Sequence, residues 1–142
     1  MNAFDTNVLL YAIDEIDPFN HEVAVRLLDQ LRAEANPPVL LWQVLCEFLA
    51  GLRRRENAGD LDRDDVQRAL QTILVTYPLA LPSPPVIDTA CALFSRYSLS
   101  HWDSLLLGAC IHAGVTTLFS EDMDGGMTYE TVTVVNPFPT RP

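Results

Sequence analysis

Apolar residues in this chain come in short blocks, and their period changes from block to block. Asn2 to Asp5 is a brief strand-like run. It passes directly into a stretch where Val8, Leu9, Ala12 and Ile13 recur at helical spacing. Asp5 or Thr6 is placed to cap that helix. Asp17-Pro18 opens a second helix, carried by Val23, Val25, Leu27, Leu28 and Leu31, which fades before Asn36-Pro37-Pro38. Val39 to Leu41 reads as a buried strand. Trp42 to Arg55 reads as a helix closed by Asn57-Ala58-Gly59-Asp60. Asp62 to Thr76 is a further helix whose first-turn acids suit its dipole. Leu79 to Leu81 is strand-like between two prolines. Pro84-Pro85 opens a helix running to Tyr97, and Ser100 caps another that ends near Gly114. Thr116 to Phe119 and Thr131 to Val135 are strands, separated by a turn at Asp124-Gly125-Gly126.

Short apolar strands alternating with helices predict an α/β fold with a mostly parallel sheet. In such sheets functional groups gather beyond the carboxyl ends of the strands. Four acids occupy positions of that kind. Asp5 and Asp122 follow strands, and Glu47 and Asp103 fall in the first turns of helices. Each has apolar neighbours, and a carboxylate in apolar surroundings needs a partner, a proton or a metal. All 9 basic residues are arginine, too few to serve every such site. Convergent carboxylates without cationic partners point to a hard divalent cation, Mg²⁺ or Mn²⁺.

Composition narrows the picture. A chain of 142 residues with 49% hydrophobic content is expected to form one domain with a real core. Disorder is expected only at the Pro-rich end. No apolar run approaches the roughly 20 residues of a membrane span, and Met1 to Asp5 does not start a signal peptide. Cys46, Cys91 and Cys110 are odd in number and lie in apolar helical patterns. They read as reduced core cysteines, which with the rest places the protein in the cytoplasm. The net charge of −10 argues against attraction of nucleic acid by the surface as a whole. A bound cation, the Arg53-Arg54-Arg55 run and Arg96 can reverse that sign locally. An acidic surface also suits a basic partner.

The chain resembles the PIN-domain ribonucleases, and within them the VapC-type toxins of type II toxin–antitoxin systems. The resemblance is carried by Phe4-Asp5-Thr6-Asn7-Val8-Leu9-Leu10-Tyr11, Val44-Leu45-Cys46-Glu47-Phe48, Ser100-His101-Trp102-Asp103-Ser104-Leu105, Ser120-Glu121-Asp122-Met123 and Val134-Val135-Asn136-Pro137-Phe138, in family order. It implies a single PIN domain over 1–142, a three-layer α/β/α sandwich around a small, mostly parallel sheet. It also implies Mg²⁺- or Mn²⁺-dependent cleavage of RNA, a homodimer, and inhibition by a cognate antitoxin. The family's acids fall on Asp5, Glu47, Asp103 and Asp122, and its supporting positions on Thr6, Asn7 and Ser120. Glu121 and Asp124 are extra carboxylates, and either is open to sharing metal with Asp122.

Phosphodiester hydrolysis needs a nucleophile at neutral pH and neutralisation of charge at the leaving oxygen, both of which divalent ions supply. Asp5, rigid at a strand end, is the candidate central ligand. Simpler roles stand beside these: Asp5 as a helix cap, Ser100 and Asp103 as an approximate capping box, Asp122 as a loop acid. Trp42 and Trp102 read as core residues ahead of base-stacking ones, and His101 as a loop histidine ahead of a general acid. Two other functions compete. One is a PIN-fold module that binds RNA or protein without cutting. The other is a receiver domain, disfavoured because the chain has no lysine.

Overall fold

Residues 1–140 are described by a computed structural model, so Arg141 and Pro142, the end of the expected domain, lie outside the described residues. Strand β1 (Asn2–Phe4) runs without a loop into helix α1 (Thr6–Ile13), because Asp5 is extended and caps the helix, accepting from the Asn7 amide. Helix α2 (Pro18–Arg32) begins behind the Asp17 cap. Strand β2 (Leu40–Leu41) abuts α3 (Trp42–Asn57), and α4 (Arg63–Thr76) starts with a full capping box between Asp62 and Asp65. Then come β3 (Leu79–Ala80), α5 (Pro85–Arg96), α6 (His101–His112), β4 (Thr117–Phe119), β5 (Thr128–Tyr129) and β6 (Val132–Val135).

The sheet order is β1-β4-β6-β5, with β1, β4 and β6 parallel and β5 antiparallel to β6. Strands β2 and β3 form a parallel pair that meets the free edge of β1 through an Ala3–Val39 bridge. Parallel strands need long crossovers, and the helices supply them. The product is the expected α/β/α sandwich. Its centre holds Phe4, Leu40, Leu41, Val44, Phe48, Leu107, Leu118 and Val134, each almost wholly buried. Helices α5 and α6 lie close because Gly108 faces the α5 backbone; a Cβ there would sit 3.1 Å from the Val86 carbonyl oxygen.

Several expectations change. Only Cys110 is buried; Cys46 and Cys91 are exposed, since each falls on the outward side of its helix, and all three are free thiols. Trp42 and Trp102 are not core residues but stand at the surface, 44% and 62% exposed. On α2 it is Ala24 that turns inward, while Val25 faces outward. The Pro-rich end is docked as far as Phe138, whose buried ring meets Tyr11 edge-on at 4.9 Å. Strand β5 escapes the sequence pattern because its hairpin turns on Glu130 at φ 54°, with no glycine or asparagine to announce it. Among the described residues, no helix is long and apolar enough to cross a membrane.

Candidate active site

The in-register pairing of Phe4 with Phe119 puts the two strand ends side by side, so Asp5 emerges next to Ser120. The Asp5 amide donates to the Phe119 carbonyl at 2.9 Å. The Ser120 hydroxyl donates to Asp5 Oδ2 at 2.5 Å, and the Asn7 amide to Oδ1 at 3.3 Å. Asp5 is buried, and burial pushes its carboxyl above the ordinary range. The Ser120 and Asn7 hydrogen bonds oppose that rise, and the charge of Glu47 adds to it.

Asp122 lies two residues beyond Ser120, and its own amide donates back to Ser120 Oγ at 3.2 Å. The residue is exposed, but its carboxyl meets that of Asp5 and is partly desolvated there. Desolvation, then the charges of Asp5, Glu121 and Asp103, push its pKa up to about 6. Like charges at close range disfavour simultaneous ionisation.

Glu47 enters from α3, and with the helix beginning at Trp42 it falls in the second turn rather than the first. The second turn leaves room for Gln43 one turn earlier on the same side. Both Glu47 oxygens are held: Oε2 accepts from the Thr6 hydroxyl at 2.9 Å and Oε1 from Gln43 Nε2 at 3.0 Å. Despite its apolar sequence neighbours Glu47 is exposed, so helix periodicity outweighs local composition here. Asp103 stands in the first turn of α6, half-buried, its amide bonded to Ser100 Oγ at 3.1 Å. Ser100 thus makes the forward half of the expected capping box, and the Asp103 carboxylate bears on Asp122 by its charge.

Asn7 does more than hold the strand–helix junction. Its Nδ2 donates to Glu121 Oε1 at 3.0 Å and to Asp122 Oδ2 at 3.1 Å. The Tyr11 hydroxyl donates to the same Glu121 oxygen at 2.9 Å, so Glu121 is drawn toward α1. Asp124 is exposed further along the loop, and its charge acts on Tyr129. The tyrosine and Gln43 carried no signal in the sequence beyond helical spacing from Asn7 and Glu47.

The ion-paired arginines among the described residues lie elsewhere. Arg55 pairs with Asp14 at 2.5 Å, and Arg96 with Glu130 at 2.6 Å. Among the described residues, no ion pair reaches Asp5, Glu47, Asp103 or Asp122. An all-oxygen donor set with uncompensated charge fits a hard divalent cation. Among the described residues, however, no three acid, His or Cys side chains already stand at metal-ligand spacing; their oxygens are turned onto Ser120, Thr6, Gln43 and Asn7.

A mostly parallel sheet of this order, with acids just beyond the ends of β1 and β4, defines a small three-layer α/β fold. The chain belongs to the PIN domain family, whose model matches residues 3–125. Curated proteins offer no significant sequence match. Among solved structures, the chain is similar to one of a toxin–antitoxin complex from Klebsiella pneumoniae, with TM-score 0.70, 18% identity, and 99% of this chain and 100% of that one covered. It is also similar to Mycobacterium tuberculosis VapC20, a sarcin–ricin loop cleaving toxin, with TM-score 0.63, 19% identity, and 86% and 90% of the two chains covered. At these identities the likeness is one of fold.

Proposed function

We propose that this chain is the endoribonuclease toxin of a type II toxin–antitoxin pair, hydrolysing RNA with Mg²⁺ or Mn²⁺ held by Asp5, Glu47, Asp103 and Asp122. The observation that carries the reading is the contact of Asp5 with Asp122, two carboxyls with raised pKa values and, among the described residues, no arginine paired with them. A divalent cation, when bound, supplies an acidified water and neutralises charge on the phosphate. The protein's part is to hold oxygens still. Asp5 is fixed by a strand end, a hydroxyl and a helix amide, which suits a central ligand. Thr6 and Gln43 fix the rotation of Glu47. Asn7 restrains Asp122 and Glu121 together, so Asp122 completes the set while Glu121 is tied to Asn7 and Tyr11 of α1. Asp103 faces Asp122 from α6.

The substrate is a single-stranded or looped RNA, where bases are open to recognition. The inhibitor is a cognate antitoxin that presents a basic side chain to the acidic site, complementary in charge. The active unit is a homodimer in the cytoplasm, consistent with three free thiols. Purified free of any partner, the wild-type chain should cut total RNA only with Mg²⁺ or Mn²⁺, at ends that can be mapped. Because supporting groups around metal sites cost roughly 10–100-fold when removed, Asp5→Asn should lose at least about 100-fold while keeping its circular dichroism. Equal cleavage by the two proteins would sink the metal-site assignment.

A second reading, a PIN module that binds RNA or protein without cutting, draws on the lack of a trio at metal-ligand spacing among the described residues. It requires saturable RNA or protein binding with no cleavage under any divalent ion.

A further inference from the structure

A groove of about 670 Å³ opens beside the carboxylates, between the start of α3, the segment joining β3 to α5, and the outer side of α6. That volume falls within the roughly 300–1,000 Å³ of small-ligand clefts. Trp42 and Trp102 both line it, with Leu81 and Ile87 along the walls, all four exposed. Large exposed apolar side chains gathered in one concavity mark a binding surface. The groove is also continuous with the acids. Gln43, on its lining, donates Nε2 to Glu47 Oε1 at 3.0 Å and to the Trp102 carbonyl at 3.2 Å. Trp102 immediately precedes Asp103 and is steadied edge-on by His101, with ring centroids 4.8 Å apart.

The chain carries 19 Asp and Glu, yet none of the residues lining the groove is acidic. A polyanion that reaches the carboxylates meets in this lining no further acid to repel it. That surface presents two indole rings, and any nucleobase has a π-face to stack on them. We propose that the groove is a base subsite, in which an unpaired nucleobase flanking the scissile phosphate of single-stranded RNA stacks on Trp102 and Trp42. The subsite rests on the ribonuclease reading, and it gives that reading a source of affinity and position preference that needs no cations.

The test uses the full chain and a short RNA that wild type cuts. Trp102→Ala and Trp42→Ala should each raise KM by roughly 5- to 150-fold, the worth of one stacked base, with the loss falling on KM rather than kcat. Trp102→Phe, which keeps a ring, should recover most of it, and matched melting curves separate the effect from misfolding. Replacing bases one at a time by abasic sugars should find one position whose loss wild type feels and Trp102→Ala does not, the non-additivity of a direct contact. Unchanged KM in both alanine variants, or additive losses at every abasic position, would overturn the subsite. If wild type cuts no RNA, the ribonuclease reading fails separately. The groove is then read by fluorescence, since the chain's 2 tryptophans both lie there. Saturable quenching by an unpaired oligoribonucleotide supports the subsite, and absence of quenching overturns it. Emission that reddens on dilution and ignores RNA would mean that a second copy of the chain fills the groove, and would also overturn it.

Discussion

The hydroxyl of Ser120 donates to Asp5 Oδ2 at 2.5 Å across the β1–β4 seam, joining residues 115 apart in sequence. This bond, together with that from the Asn7 amide, keeps a buried carboxylate hydrogen-bonded. Ser120→Ala should therefore destabilise the protein by about 1–3 kcal/mol at neutral pH, the cost of leaving a buried charged acceptor short of a donor. Urea denaturation gives the number. The deficit should shrink at low pH, where Asp5 is protonated, and a deficit independent of pH would assign the effect to packing instead.

Asp122 should make stability fall as pH rises. Its folded pKa of about 6 lies above the ordinary 3.8, so between those values the folded state holds a proton that the unfolded state has lost. The stabilisation is complete below the unfolded value and is lost as pH passes through about 6. In chelator, Asp122→Asn should match wild type near pH 4 and exceed it at pH 7. Comparing the two proteins cancels carboxylates such as Asp14, lowered by its hydrogen bond from Arg55, which work in the opposite sense. A constant difference across the range would count against the prediction.

Asp103→Asn separates charge from capping. The bond at Ser100 uses the backbone amide of residue 103, so it survives the change. Without divalent metal the variant should melt at or above the wild-type temperature, because Asp103 adds to the charge pressing on Asp122. Mg²⁺ or Mn²⁺ at a hundredfold excess over the dissociation constant should stabilise wild type by about 2.7 kcal/mol and the variant much less. Equal shifts would remove Asp103 from the proposed site.

Gly108→Ala should destabilise the α5–α6 contact. The added methyl would meet the Val86 carbonyl at 3.1 Å and the Ala90 amide at 3.3 Å, both backbone atoms that cannot rotate away. Overpacking of this kind costs about 1–3 kcal/mol. A variant as stable as wild type would mean that the two helices part without penalty.

Much of this molecule was legible from the sequence, for identifiable reasons. Asp5, Asp17, Asp62 and Ser100 cap the helices that follow them, so the starts of α1, α2, α4 and α6 were written in local chemistry. The ends of β1 and β4 place Asp5 and Asp122, while Glu47 and Asp103 ride on α3 and α6. What stayed hidden was which side of a helix faces protein. Helix α6 is apolar on almost every side between Leu105 and Ile111, so its pattern gave no inward direction, and Trp102 at its start was misread as core. Cys46 was misread for the same reason on α3, where Val44 and Phe48 take the inward side. The Tyr11–Glu121 bond joins residues 110 apart and depends on the β1–β4 pairing, which no local signal encodes.

The sheet order also has a temporal side. Strand β1 opens the chain, but its neighbour β4 is made only after α6. A ribosome adds roughly 5–20 residues per second. Until β4 is made, the nascent chain has Asp5, then Glu47 and at last Asp103, but nothing to bring Asp5 against Ser120 and Asp122. Any N-terminal fragment that stops short of β4 lacks the completed cluster.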